Sequence, residues 1–199
     1  MRKLKLQIQT TIDGFVAGPN GEGDWVFLSG TPDPEALKQM IGFGVELAAG
    51  CDTFLLGRKL AASTFCTYWE NVADNQPENP WHPLAQLIAD HRKIAFSSTE
   101  TTFPGRNLEV ENGDLATAVQ ALKEQPGKDI LVYGGANFVS CLISLNLIDE
   151  YYLVVNPVAI GAGLPIFKER KVLELESSIA FKHGKVVNKY VPVPVLVGS

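Results

Sequence analysis

The chain of 199 residues is poor in the features that mark several common protein classes. It has three cysteines, Cys51, Cys66 and Cys141. The number is odd, and there is no Cys-x-x-Cys pair and no metal-clip spacing. A disulfide framework is therefore not expected, and the thiols read as buried small hydrophobes of a reducing, cytoplasmic compartment. Its three histidines, His82, His91 and His183, are scattered, and no pair has zinc-ligand spacing on a helix, so no metal site is expected. No apolar run approaches the roughly 18–20 residues of a membrane span. Met1-Arg2-Lys3-Leu4 gives way at once to alternating polar residues and does not open a signal peptide. Blocks of lysine and arginine are also missing. Seventeen basic residues against 22 acidic ones leave a net charge of −5, which argues against a nucleic-acid partner gripped through its phosphates.

What is present is apolar material, 46% of the residues, enough for one real core. Length alone suggests one domain over residues 1–199. Leu4 to Thr10 alternates apolar and polar, the period of a half-buried strand, and Asp13-Gly14 ends it with turn chemistry. Residues 13–24 hold four glycines and Pro19-Asn20, a loop of unusual conformational freedom. Thr31 to Glu35 reads as a helix start. Leu37, Met40, Ile41, Gly44, Val45 and Ala48 then recur at helical spacing. Thr53–Leu56, Lys93–Phe96, Ile130–Tyr133 and Glu150–Val155 read as strands, and Lys185–Val195 as a last strand of mostly period two. Helices are expected near 59–66, 82–90, 114–124 and 136–145, with 71–83 as a surface excursion. Strands alternating with helices imply right-handed crossovers in a mostly parallel sheet covered on both faces. The β-rich end adds an antiparallel C-terminal edge. The expected fold class is a three-layer α/β/α sandwich.

In such a sheet ligands bind where strands hand over to helices. Three of these ends carry anion-binding chemistry: Leu56-Gly57-Arg58-Lys59, Phe96-Ser97-Ser98-Thr99 and Tyr133-Gly134-Gly135-Ala136-Asn137. Glycine lets a backbone approach a ligand closely, and a helix N-terminus offers unpaired N–H groups and about half a positive charge. None of the three matches the usual dinucleotide or phosphate-loop fingerprints.

Those three segments, together with Thr11-Ile12-Asp13-Gly14-Phe15-Val16-Ala17, fall in the order of the dihydrofolate reductase superfamily. Ile148-Asp149-Glu150 and Pro157 to Phe167 resemble more specifically the C-terminal reductase domain of the bifunctional riboflavin-biosynthesis deaminase/reductase, over residues 4–194. The resemblance implies NADPH as cofactor. Gly57, Arg58 and Lys59 would open the helix at the adenosine-side phosphate. Ser98, beside Ser97, would lie near the ribose 2′-phosphate with Arg58 or Lys59. Gly134, Gly135, Ala136 and Asn137 would hold the pyrophosphate, with a Gly-Gly peptide that is cis in the family. Val16 and Ala17 would border the nicotinamide, and residues 13–25 would form a flap that excludes water.

The cofactor supplies the hydride, but a proton source is also needed. True dihydrofolate reductases carry a carboxylate in the helix after the flap. The equivalent position here is near Ile41, in Gln39-Met40-Ile41-Gly42, and is not acidic. Asp24, then Asp13, are the candidate catalytic carboxylates. Trp25, Phe27, Phe65, Trp69 and Trp81 are candidates to line a planar pocket, and Arg92 and Arg106 for a second phosphate site. The leading expectation is a cytoplasmic, homodimeric NADPH-dependent reductase of a small planar heterocycle, imine or carbonyl. It would be similar to the 5-amino-6-(5-phosphoribosylamino)uracil reductase of riboflavin biosynthesis. A non-catalytic NADP-binding or regulatory module, and a dihydrofolate-, aldehyde- or nitro-reducing enzyme, remain open.

Overall fold

A computed structural model of the chain describes residues 1–27 and 33–193. In β1 (Leu4–Thr11), alternation sends Leu4, Leu6 and Ile8 into one core cluster and turns Gln7 and Gln9 toward the opposite face. The other strands are β2 (Cys51–Gly57), β3 (Arg92–Phe96), β4 (Leu108–Glu111), β5 (Asp129–Gly134), β6 (Glu150–Asn156), β7 (Leu173–Ala180) and β8 (Val186–Pro192). They form one eight-stranded sheet in the order β4-β3-β2-β5-β1-β6-β8-β7. All pairings among β1 to β6 are parallel. β8 runs antiparallel to β6, and β7 antiparallel to β8. The mostly parallel α/β/α fold with an antiparallel C-terminal edge is thus the one observed.

The helices are α1 (Pro34–Ala49), α2 (Arg58–Ala61), α3 (Phe65–Asn75), α4 (His82–Asp90), α5 (Leu115–Glu124) and α6 (Ala136–Ser144). α5 and α6 cover one face, where Val119, Leu122, Val139 and Leu142 meet Leu4, Leu6, Ile130 and Val132. α1 and α4 cover the other, where Leu47, Ala48, Leu84 and Ile88 meet Phe54 and Leu131. Full burial of such a side chain contributes about 1.5–3 kcal/mol. These clusters, more than helix propensity, hold the layers together.

The chain leaves β1, builds β2, β3 and β4 outward, then returns to insert β5 between β2 and β1. β6 is added on the other flank of β1. This reversal creates a crevice at the carboxyl ends of β1, β2 and β5.

Several expectations are corrected. Residues 71–75 belong to α3 and not to a surface excursion, because Val72 is fully buried and α3 packs on α4. β4 was not expected: its Leu-Glu-Val-Glu pattern spans only four residues, and pairing with β3 makes it a strand. Cys51 and Cys66 are buried, but Cys141 is exposed on α6. α1 begins at Pro34, with the Asp33 side chain accepting from Ala36 N–H at 2.9 Å. Thr31 and Pro32, and Pro194 and Val195 of the expected last strand, lie outside the described residues. Among the described residues no helix is long and apolar enough to cross a membrane, and no group of three His, Cys, Asp or Glu is placed to hold a metal.

Candidate active site

The ends of β2 and β5 touch. Leu56 pairs with Gly134 and Gly57 with Phe96. A Cβ on Gly57 would lie 2.6 Å from Phe138 Cβ and 3.3 Å from the Gly135 amide nitrogen. Only a glycine lets the strand come this close to α6. The Gly134–Gly135 peptide is cis, with Gly134 at φ +121°. A Cβ at either residue would meet no heavy atom within 4 Å, so this peptide faces open space. α2 and α6 start at Gly57 and Gly135 with no side-chain cap, as α3 and α4 do at Thr64 and Trp81, whereas α1 and α5 are capped by Asp33 and Asp114. The first-turn N–H groups of α6 therefore remain available to an anion.

The flanking side chains are arranged as follows around these ends. Arg58 and Lys59 are exposed at the start of α2. Ser97 is buried, its hydroxyl accepting from the Thr99 and Glu100 amides at 3.2 and 2.9 Å. Asn112 Nδ2 donates to the carbonyls of Ser97 and Glu100. The β3 end is thus a braced turn that presents an exposed Ser98. Ala136 is half-buried and Asn137 exposed in the first turn of α6.

At the end of β1, Val16 N–H donates to the Leu164 carbonyl and Leu164 N–H to the Ala17 carbonyl. Gly163 is pressed against this segment, since a Cβ there would lie 2.3 Å from the Ala17 carbonyl oxygen. Asp13 Oδ2 accepts from the amides of Ile160 and Gly161, and Oδ1 from the Thr11 hydroxyl. The Thr11 hydroxyl and the Gly161 amide hold its carboxyl below the usual range, so at neutral pH Asp13 is an acceptor that ties the flap base to the 157–164 loop. Asp24 is exposed and opens the 3-10 turn Asp24–Phe27.

A cavity of about 720 Å³ lies between the sheet and α1, α3 and α4; Gly57, Arg58, Lys59, Ser97, Ser98, Gly134, Gly135, Ala136 and Asn137 are not among its lining residues, nor are Val16 and Ala17. Tyr133 lines it, and the next residue is Gly134, so cavity and rim share one peptide. Phe65, Trp69 and Trp81 line it as expected; Trp25 is buried with its indole N–H on the Glu22 carbonyl and is not part of the lining. The side chain of Phe27 lies outside the described residues. α1 turns Leu37, Met40, Phe43 and Gly44 toward the cavity, all apolar, while Glu46 is exposed. Arg92 and Arg106 stand away from this lining, paired with Glu109 and Asp74.

Sequence reasoning missed the polar part of the cavity, which includes Gln7, Gln9, His183 and Lys185. His183 and Lys185 lie in the turn between β7 and β8, where Gly184 takes φ +92°. Their only local signal is a His-Gly-Lys tripeptide, which reads as an ordinary turn.

Comparison with known proteins gives the family and the fold of the chain. Residues 2–187 match the family described as the RibD C-terminal domain. The uncharacterized protein YyaP of Bacillus subtilis strain 168 is 32% identical over 188 residues, spanning 93% of this chain and 92% of the relative. Among solved structures, a diaminohydroxyphosphoribosylaminopyrimidine deaminase/5-amino-6-(5-phosphoribosylamino)uracil reductase from Thermotoga maritima superposes with TM-score 0.59 at 14% identity. That match covers 96% of this chain and 57% of the other. A dihydrofolate reductase from Enterococcus faecalis, complexed with NADP(H) and RAB-propyl, superposes with TM-score 0.57 at 14% identity and covers 96% of both chains. The fold is thus dihydrofolate reductase-like, and by the extent of the family match the chain belongs to the RibD C-terminal domain family.

Proposed function

We propose that the protein is an NADPH-dependent reductase of a small planar substrate, of the kind found in the riboflavin pathway. The observation that carries this reading is the junction at Tyr133–Gly134. There a glycine rim with an uncapped helix N-terminus follows directly in the chain on a residue that lines an aromatic cavity. The chemistry of the rim fits a dinucleotide: donors without side chains for a pyrophosphate, and exposed Arg58, Lys59 and Ser98 for a 2′-phosphate. Gly134, Gly135, Ala136 and Asn137 would hold the pyrophosphate, and Val16 and Ala17 would border the nicotinamide. When bound, the cofactor supplies a hydride. The chain's own part is to orient the cofactor through the rim, seat the substrate among aromatic rings and exclude water.

Of the two candidate carboxylates, Asp24 is the one whose oxygens accept no hydrogen bond among the described residues, and it stands two residues before Val26 of the cavity wall. We assign Asp24 the place nearest the substrate, and Asp13 the support of the flap. Pairing of two copies through the edge strand β7, which exposes Leu175 and Ile179, would cover an otherwise bare apolar edge.

The test is fluorescence titration with NADPH and NADH, followed by cofactor oxidation against pterins, aminouracils and carbonyl compounds. Binding and turnover support the reductase. Binding without turnover favours an NADP-binding module, the reading suggested by the wholly apolar cavity face of α1. Binding of neither cofactor removes both.

A further inference from the structure

Among the described residues, five have a buried side-chain nitrogen or oxygen without a hydrogen-bond partner: Gln7, Tyr133, Tyr151, Asn156 and His183. Three of the five, Gln7, Tyr133 and His183, line the one cavity described above. Leaving such a group unpaired costs about 1–3 kcal/mol, so their gathering on one wall calls for an explanation. His183 is the extreme case. Both ring nitrogens are buried and unpartnered, although a neutral imidazole carries one donor and one acceptor.

Lys185 sharpens the point. The residue is 5% exposed and lines the same cavity. Its Nζ makes one long bond, 3.3 Å, to the Val26 carbonyl, and no ion pair among the described residues. Burial alone pushes its ammonium below the usual lysine range, with no carboxylate opposing. Among the described residues the cavity lining contains no Asp or Glu, although the charge of Asp33 acts on His183. Other buried lysines are satisfied: Lys93 donates to three carbonyls, and Lys123 bonds the Leu147 carbonyl and Asp149. A buried cation without a counter-charge is costly, and an anion brought by a ligand offsets that cost.

We propose that Lys185, with His183 beside it, is the specificity-determining end of this cavity, and that the cavity takes a planar aromatic or heteroaromatic compound bearing one anionic oxygen group of carboxylate size. Phe43, Phe65, Trp69, Trp81 and Phe181 supply flat apolar walls for the ring. Lys185 retains unused donors for the oxygens, and His183 offers a donor or an acceptor to the same head group. A single cation matches a single charge. Among the described residues the cavity has no arginine fork and no second lysine for a phosphate dianion. The proposal rests on the reductase reading only for what happens after binding; the preference itself is a property of the cavity.

The test is isothermal titration of the full chain with cinnamate and with cinnamamide, planar probes of nearly equal shape that differ in charge. A charge-assisted bond predicts cinnamate tighter by at least about tenfold. Lys185→Met, which keeps the aliphatic stem, is expected to bring cinnamate to the level of cinnamamide while NADPH binding at the rim stays at its wild-type value. Equal affinities in the wild type, a preference that survives Lys185→Met, no heat with either probe at millimolar concentration, or phenyl phosphate tenfold tighter than cinnamate would each overturn the proposal. Where Lys185→Met does not fold, the wild-type pair of probes and His183→Gln, expected to lower cinnamate affinity, decide the matter. A cinnamate preference in a protein that binds no NADPH would sink the reductase reading and leave this proposal standing.

Discussion

Gly57 sits under Phe138, so close that a Cβ on the glycine would fall 2.6 Å from that of the phenylalanine. β2 and α6 are therefore locked together at the rim, and Gly57→Ala has no room without moving one of them. Such overpacking costs about 1–3 kcal/mol. The variant is expected to have a lower denaturant midpoint and weaker NADPH binding. Unchanged values for both would show that the two elements are not in contact in solution.

Arg58→Ala removes an exposed guanidinium at the start of α2. The loss expected is about tenfold for NADPH and little for NADH, because only the former has the 2′-phosphate. Parallel fluorescence titrations read this directly, and equal losses would contradict the placement of the phosphate.

Asp13 holds Ile160, Gly161 and Thr11, and the Thr11 hydroxyl and the Gly161 amide keep its carboxyl below the usual aspartate range. A depressed folded-state pKa gives stability that is present above the unfolded value and lost as pH falls through the folded one. Asp13→Asn is expected to loosen the flap base at neutral pH, seen as faster amide exchange at Gly161. The difference from wild type should shrink as pH falls below about 3.8. A difference constant down to strongly acid pH would show that the carboxylate charge plays no part.

Among the described residues the Tyr133 hydroxyl is buried with no partner, and burial pushes its phenol well above the usual range. Tyr133→Phe removes an unsatisfied group while keeping the ring against Phe54 and Phe65. The variant is expected to gain about 1 kcal/mol, a rise of roughly 2–4 °C in Tm for a chain of this size. A fall in Tm would mean that the hydroxyl has a partner in the folded protein.

Leu175 and Ile179 of the edge strand β7 are 52% and 46% exposed. Light scattering at micromolar concentration is expected to give twice the monomer mass, and Ile179→Lys to halve it. A monomeric wild type removes the proposed pairing.

Much of the fold was legible in the sequence because its signals are local. The alternation of Leu4, Leu6 and Ile8 marks β1, and helical spacing from Leu37 to Ala48 marks α1. Asp114 before Leu115 and Pro83 near the start of α4 mark helix starts. β4 was not legible, since Leu108–Glu111 becomes a strand only by pairing with β3. Nor was the length of α3, which depends on Val72 finding a buried site. In the site, the glycines at 57, 134 and 135 announce themselves next to strand ends, whereas the role of His183 and Lys185 does not. These two belong to a hairpin turn roughly fifty residues beyond Tyr133, and only folding brings them to the same cavity.

The sequence by itself determined the order of most strands and helices, though not β4 or β7, and the strand ends at which glycines expose the backbone, because hydrophobic period and turn chemistry act over a few residues. Tertiary structure alone decided that Gly57 meets Gly135, that Asp13 braces the 157–164 loop, and that a lysine with no counter-charge among the described residues lines an aromatic cavity. Those are distances between chain segments far apart in sequence, set by how layers pack and how the sheet is ordered, and no local pattern encodes them.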